Sequence, residues 1–361
     1  MVYLGNILQY EQPTKYIVSS ENYDDSYPVP VLTAGQTFIL GYTNETEGIY
    51  SNPLPVIIFD DFTTAVKFVN FPFKVKSSAM KILKPANENV YIPYWYYYLS
   101  NLKVDNELHK RYWISVFANK EVDFPPLSQQ KQIAMRLDKI QELIALQKEQ
   151  IKKADELIKS RFIEMFGDPI TNPKGWKVSR MGNLFKITSG GTPSRKHPEY
   201  FENGSIPWVK TGDLTKSYLN KTDENITGLG LKNSSAKIFP KGTVLLAMYG
   251  ATIGAVSILN IAAATNQACA AFLPIDNVLP VWLYYFLFLQ KKHFVSLGLG
   301  GAQPNISGEI LKNERIFCPP LSLQKQFTEF VEKTETQKAL LEKRLNRLET
   351  LYKSLMQEYF G

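Results

Sequence analysis

The sequence predicts an α+β protein in which two strand-rich domains are separated by two long helices, packed as an antiparallel coiled coil, the whole forming a pseudo-two-fold repeat. Three observations carry that expectation. The chain repeats itself, each repeat ends in a sustained three-four spacing of apolar residues, and the segments before those helices are rich in short β-prone runs. The boundaries follow: a first domain over 1–124, a first long helix over 125–167, a second domain over 168–318 and a second long helix over 319–361.

The repeat is read by self-comparison. Pro125-Pro126-Leu127-Ser128-Gln129-Gln130-Lys131-Gln132 returns 194 positions later as Pro319-Pro320-Leu321-Ser322-Leu323-Gln324-Lys325-Gln326, with one residue changed. The same shift holds without a gap to Phe166-Gly167 and Phe360-Gly361. Earlier landmarks return at smaller shifts. Asn89-Val90 with Tyr96-Tyr97 reappears 188 on as Asn277-Val278 with Tyr284-Tyr285, and Gly5-Asn6 reappears 177 on as Gly182-Asn183. The helices therefore agree in length while the domains before them have drifted by 11 and 6 residues. A shared scaffold carrying two divergent domains gives that pattern.

Each helix has a legible start. Paired prolines fix an extended entry and exclude helix interior, and Ser128 or Ser322 then stands where an N-cap accepts from the first free amides. Lys131 and Lys325 occupy the third helical position, so no capping box follows. The stripe then steps through Ile133, Leu137, Ile140, Ile144, Gln147, Ile151, Ala154 and Ile158. In the second copy it runs through Phe327, Val331, Thr334, Lys338, Leu341, Leu345, Leu348, Tyr352, Leu355 and Tyr359. Such spacing is the coiled-coil signature. Helix-on-helix packing is expected through Ile133, Leu137, Ile140, Ile144 and Ile151 with Phe327, Val331, Leu341, Leu345 and Leu348, in preference to each stripe covering its own domain's core.

The domains alternate Val, Ile, Thr, Phe and Tyr with Gly, Pro and Asn breaks. Strands are expected over 55–59, 71–75 and 243–248, and an aromatic helix over 94–99 and 282–289. A length of 361 residues with 44% hydrophobic content suits two domains with sizeable cores. The most apolar stretch, 278–289, is too short and too aromatic to span a bilayer, and the start has no basic-then-apolar leader, so a cytoplasmic protein without a membrane partner is expected. Cys269 and Cys318 read as buried free thiols. The net charge of +7 suits a polyanionic partner.

Several surface-prone segments combine cations, amides and small residues in a way that suits DNA. In the first domain they contain Tyr10, Gln12, Thr14, Lys15 and Tyr16, then Lys74, Lys76, Ser77 and Ser78. In the second they contain Gly191, Thr192, Ser194, Arg195 and Lys196, then Trp208, Lys210 and Thr211, then Gln303 and Asn305. Lysine and arginine neutralise phosphates, small residues admit backbone amides to them, and Gln, Asn and Arg read base edges bidentately.

Signals for chemistry are missing. His109, His197 and His293 stand apart with no ligand-spaced neighbour, so neither a metal site nor a catalytic residue is expected. No phosphate-cradling Gly-x-x-x-x-Gly-Lys-Ser/Thr loop is present, and Gly298-Leu299-Gly300-Gly301 lacks the context of a dinucleotide fingerprint. The Pro-Pro pairs, flanked by Phe124 or Cys318 and by leucine, do not resemble the catalytic loop of adenine methyltransferases. Asp60-Asp61 reads as a strand-end turn, with a cytosine amine as a further acceptor role.

With the repeat in view, the chain resembles the specificity subunits of type I restriction-modification enzymes along essentially its whole length. The Pro-Pro-Leu-Ser-x-Gln-Lys-Gln helices ending in Phe-Gly carry that resemblance, together with Gly190-Gly191-Thr192-Pro193-Ser194, Ile206-Pro207-Trp208-Val209 and Gly212-Asp213-Leu214. The first domain departs from that pattern. It has Tyr10-Glu11-Gln12-Pro13-Thr14-Lys15-Tyr16 and Pro30-Val31-Leu32-Thr33-Ala34-Gly35 instead. The resemblance implies two target-recognition domains, each reading one half of a bipartite DNA target, with helices that set the spacing and dock two methyltransferase subunits. A helix of roughly 35 residues is about 50 Å long, enough to separate two readers by about a turn of DNA. It also implies that S-adenosylmethionine belongs to the methyltransferase subunits, and ATP and magnesium to motor-nuclease subunits, leaving no cofactor in this chain. Two other readings stand beside it: a non-catalytic specificity component of another restriction system, and a coiled-coil adaptor that joins proteins without reading DNA.

Overall fold

The computed structural model describes residues 1–34, 37–102, 112–298 and 305–361. Two compact units partition the chain, one of 1–148 with 343–361 and the other of 149–342. The long helices, Leu127–Phe166 and Leu321–Phe360, are therefore shared. Each gives its first half to the domain it follows and its second half to the other unit.

In the first unit an antiparallel sheet orders the strands Leu8–Glu11, Met80–Pro85, Val56–Asp60 and Val66–Val69. Successive side chains point to opposite faces. Ile57, Phe59 and Leu83 accordingly enter the cluster under the aromatic helix Ile92–Asn101, while Val56, Ile58 and Ile82 pack with Leu32, Phe73 and Val75. Burial on both faces explains why 56–59 reads as an unbroken apolar run. The strand expected over 71–75 shortens to Lys74–Val75, because Phe73 pairs only singly, with Tyr50.

The second unit repeats the logic on a larger scale. A five-stranded sheet orders Ile187–Ser189, Cys269–Phe272, Val244–Ala247, Val256–Leu259 and Tyr218–Leu219. Val244 and Leu246 face the aromatic helix Pro280–Leu289. Leu245, Ala247 and Cys269 face Val209 and Phe239, which belong to a second sheet of Glu224–Ile226, Ile206–Val209, Ala263–Thr265 and Ile238–Phe239.

Beneath these differences both units share a frame. The first strand of each domain pairs antiparallel with the strand just before its helix: Val2 with Val122 and Tyr3 with Glu121, and likewise Val178, Ser179 and Arg180 with Phe317, Ile316 and Arg315. The next backbone bond is duplicated too, Leu4 N donating to Lys120 O at 2.9 Å and Met181 N to Glu314 O at 2.8 Å.

The glutamine of the Pro-Pro-Leu-Ser-x-Gln motif then fastens helix to domain. Gln130 is fully buried, accepts from Tyr91 N (2.9 Å) and Trp95 Nε1 (3.1 Å), and donates to the carbonyls of Asn89 (3.0 Å) and Pro125 (2.8 Å). Gln324, also fully buried, accepts from Leu279 N (2.8 Å) and donates to the carbonyls of Asn277 (3.1 Å) and Pro319 (2.9 Å). Buried amides so paired stabilise, and left unpaired they are costly.

Four expectations are corrected. The helices begin at Leu127 and Leu321, with the carbonyls of Pro126 and Pro320 accepting the first bonds, so Ser128 and Ser322 lie in the first turn and are not caps. Helix-on-helix packing and domain cover are not alternatives. Ile133 and Leu137 share one cluster with both the aromatic helix and Met356, and Phe327 and Val331 share another with Ile158 and Phe162. Ile140 and Ile144 are buried, and Ile151, Leu341, Leu345 and Leu348 half-buried. Cys269 is buried, which pushes its thiol up to about 12, whereas Cys318 is only half-buried. Asp60 closes a turn by accepting from Phe62 N and Thr63 Oγ1, and Asp61 accepts from Trp113 N, so both carboxylates are buried and neither can meet a base.

Within each unit the helices run antiparallel. Arg136 reaches the Tyr359 hydroxyl at 3.0 Å and Lys148 pairs with Glu349 at 2.9 Å in the first. In the second, Asp155 pairs with Lys338 at 2.5 Å and Phe162 meets the Phe327 ring at 5.4 Å. The polar entry Lys338 in the stripe is thus an ion pair.

Candidate nucleic-acid interface

In the second unit the segment after Ile187–Ser189 forms an exposed loop held from below. A Cβ on Gly190 would lie 1.9 Å from the Thr265 carbonyl oxygen, and one on Gly191 would lie 1.9 Å from Ser235 Oγ. Gly191 N donates to Thr265 O at 2.9 Å. The glycines are therefore needed for close packing inside the domain, not for approach to phosphate, which corrects the expectation for Gly191. Trp208 is corrected as well: it is 2% exposed, and its Nε1 donates to Gly191 O at 3.0 Å. It is the floor of the loop.

On that floor lies Arg195. Its guanidinium stacks over Phe201 at 4.1 Å and over Trp208 at 5.4 Å, and it donates to Glu224 Oε2 at 2.6 Å. Lys210 takes the other oxygen of Glu224 at 2.6 Å. The Lys210 hydrogen bond, then that of Arg195, hold the Glu224 carboxyl below its usual range against the opposing effect of burial. Thr211 opens the short turn Thr211–Asp213, half-buried behind Lys210.

Thr192, Ser194 and Lys196 are exposed on the same loop. Thr192 Oγ1 donates to Gln267 Oε1 at 2.6 Å. Gln267 shares a cavity of about 340 Å³ with Tyr249, Thr188 and Lys312, and Tyr249 bridges through its backbone to Asn305. The fold thus sets Thr192, bonded to Gln267, and Asn305, bridged to Tyr249, on one cavity that Gln267 and Tyr249 line, and these two exposed residues are ones that the sequence did not single out. Their only signal was position, each in a turn at a strand end. Gln303, like His109 and residues 299–302, lies outside the described residues.

In the first unit the strand Leu8–Glu11 and the turn Pro13–Tyr16 present Tyr10, Gln12, Thr14 and Lys15 at the surface. Gln12 Nε2 donates to Ser78 O at 3.2 Å, which joins this segment to the exposed Ser77 and Ser78. Glu11 is the hub: Lys15 and Lys84 pair with it at 2.8 and 3.0 Å, and the Tyr16 hydroxyl donates to it at 2.8 Å. Burial alone would raise that carboxyl, but hydrogen bonds from Lys15, Tyr16 and Lys84 prevail and lower it to about 2. Tyr16 is held edge-on against Tyr50. Lys74 does not reach this surface. It is 3% exposed, paired with Glu45 at 3.0 Å and bonded to Glu47 O at 2.6 Å, so it braces the domain interior. Lys76, partly exposed, pairs with Glu21.

Among the described residues no group of three His, Cys, Asp or Glu side chains is placed to hold a metal, and no helix is long and apolar enough to cross a membrane.

Comparison with known proteins agrees with this architecture. The family model described as the type I restriction modification DNA specificity domain matches twice, over 1–156 and 173–350. The specificity subunit of the type I restriction enzyme EcoR124I/EcoR124II from Escherichia coli is 35% identical over 351 residues, covering 92% of this chain and 86% of the relative. The MjaIX specificity subunit from Methanocaldococcus jannaschii is 34% identical over 184 residues, 47% of this chain and 42% of that protein. Among solved structures, the S subunit of a type I restriction-modification system from M. genitalium superposes with a TM-score of 0.64 at 14% identity, covering 100% of this chain and 95% of that one. A chain from a study of type I complex assembly gives 0.59 at 18%, covering 99% and 96%. With two matched copies spanning most of its length, the chain belongs to the type I restriction-modification DNA specificity family.

Proposed function

We propose that this chain reads duplex DNA as a split target, each unit supplying one half from its own exposed face, as the non-catalytic specificity subunit of a type I restriction-modification complex in the cytoplasm. One observation carries the reading above all: a frame repeated strand pair for strand pair holds two faces that share no residue pattern. A protein that only joined partners would have no use for unlike, amide-bearing and cationic faces on a common frame. Two methyltransferase subunits dock on the long helices and bring S-adenosylmethionine, while motor-nuclease subunits bring ATP and magnesium.

Mapping methylated adenines in a genome where the chain is expressed with its methyltransferase is the decisive experiment. A single split sequence is expected, with binding that weakens steeply as salt rises. Equal binding of all sequences would sink the reading. Replacing residues 170–318 by another second domain should alter one half only, and lengthening the helix after Ser128 should alter only the gap. A gap that stays the same refutes the spacing role.

A further inference from the structure

The second unit holds a cavity of about 370 Å³ between its two helix segments and its aromatic helix. Its walls are the two long helices, through Asp155, Lys159, Glu335, Lys338 and Glu342, the aromatic helix, through Tyr284, Tyr285 and Phe288, and the segment Thr215, Lys216 and Ser217. Tyr284 and Tyr285 are 7% and 6% exposed, and neither hydroxyl has a hydrogen-bond partner among the described residues. Glu335 is half-buried and equally without one. Its neighbour Lys338 is taken by Asp155 at 2.5 Å, and Lys159 lies over the Phe288 ring at 5.3 Å. The two tyrosines, buried through their rings, and the half-buried Glu335 thus line one common space.

The first unit provides an internal control. The 194 shift sets Gln141 against Glu335, Ile144 against Lys338 and Lys148 against Glu342, and the 188 shift sets Tyr97 against Tyr285. There the Tyr97 hydroxyl donates to Asp138 at 2.7 Å, Tyr352 bonds Gln141, and Lys148 pairs with Glu349 at 2.9 Å. The first version satisfies itself. The second has Glu335 and Glu342 in place of a neutral amide and a cation, has gained Lys338 in place of Ile144, and leaves its hydroxyls without a side-chain partner.

We infer that this cavity seats the guanidinium of an arginine presented by a partner protein that packs on the long helices, and that only the second unit offers such a seat. A guanidinium brings five donors in a planar fork and no acceptor. Glu335 can take two of them bidentately, the tyrosine oxygens can accept others, and the rings of Tyr284, Tyr285 and Phe288 supply faces for the cation. An ammonium, a point charge without the fork, fits less well. Asp155, Glu335 and Glu342 are matched in number by Lys159, Lys216 and Lys338, with Lys338 already taken by Asp155, so the preference for a guanidinium rests on the fork, the phenol oxygens and the rings and not on net charge. The inference rests on the proposed docking of methyltransferase subunits on these helices, and it adds that two identical partners are held unequally.

The test has two arms. The full chain carrying 3-fluorotyrosine is titrated with N-acetyl-arginine methylamide and followed by fluorine NMR, with Tyr284→Phe and Tyr285→Phe assigning the signals. A saturable shift of both tyrosines is expected, with a dissociation constant on the order of millimolar. It should be about tenfold tighter than with the lysine analogue and lost in Glu335→Gln. No shift, or an equal shift in Glu335→Gln, overturns the inference. In the second arm, native mass spectrometry counts methyltransferase subunits on the wild-type chain and on Glu335→Gln. The variant should bind one copy as before and the other about tenfold more weakly; two copies held as in the wild type also overturn it. A wild-type chain that binds no methyltransferase would refute the docking reading instead, while the arginine titration still decides the cavity.

Discussion

The two reading faces are made from different pieces yet share one device. In the first unit Glu11 gathers Lys15 and Lys84, and in the second Glu224 gathers Arg195 and Lys210. The residues come from unrelated places: Glu11 and Lys15 are four apart in one turn, whereas Arg195 and Glu224 meet across a loop and a strand. By contrast, the strand pair and the buried glutamine recur at matched positions. What is copied is the frame, where a lost bond leaves a buried group unpaired. What drifts is the face, where water can replace a lost partner.

That contrast can be broken at its strongest point first. Gln130→Ala removes partners from two donors and two acceptors, and should lower stability by about 4 kcal/mol; Gln324→Ala, with fewer bonds, should cost about 3 kcal/mol. Urea unfolding measures both. Losses under 1 kcal/mol would mean that the duplicated motif is not what holds helix to domain. Next, Trp208→Phe should cost about 2 kcal/mol through its lost Gly191 bond and volume, with the methylated sequence unchanged. Arg195→Ala should do the reverse, unfolding nearly as the wild type while relaxing or abolishing one half of the target. Interchanged results would return Trp208 to the reading face.

A smaller effect is expected for Lys196→Ala, on the exposed loop: duplex affinity should fall a few-fold for all sequences and the salt slope by about 1. An unaltered slope would remove this loop from the interface. The mildest test compares the hubs by pH. Glu11 is held at about 2 against an ordinary 4.5. A carboxylate lowered in the folded state contributes stability above pH 4.5 that disappears as pH falls toward 2. Glu11→Gln should flatten the acid side of the stability curve over that window and leave pH 7 to 9 parallel. A curve unchanged in the acid range would show the hub to be ornamental.

The long helices were legible because a gapless repeat and a regular apolar step survive in the sequence. Their exchange of halves between units was not, since periodicity says which face is buried but not what buries it. The strand pairs at the domain ends escaped notice because partners of two or three residues more than a hundred positions apart leave no periodic trace. Gln130 and Gln324 stood in the motif from the start, yet only burial reveals that they tie helix to domain. Trp208 and Lys74 misled for a common reason. An aromatic or a lysine among turn residues reads as surface, and here each points inward to brace a loop. Gln267 and Tyr249 come from strand ends far from the loop they join, and chain order hides such neighbours.

The gapless likeness of the two helices also bears on inheritance. The helix starts, alike at all but one of eight positions and 194 residues apart, mark matched joints in the chain. Exchange between two genes at these joints passes on a whole second domain with both edges already suited to their seats. Exchange within one gene deletes the stretch between and leaves a single domain with a single helix. Such a product keeps one face and half of every paired surface. A second molecule of the same product carries the missing half, so a lineage that loses a domain by this route has lost one word of its target, not the means to assemble.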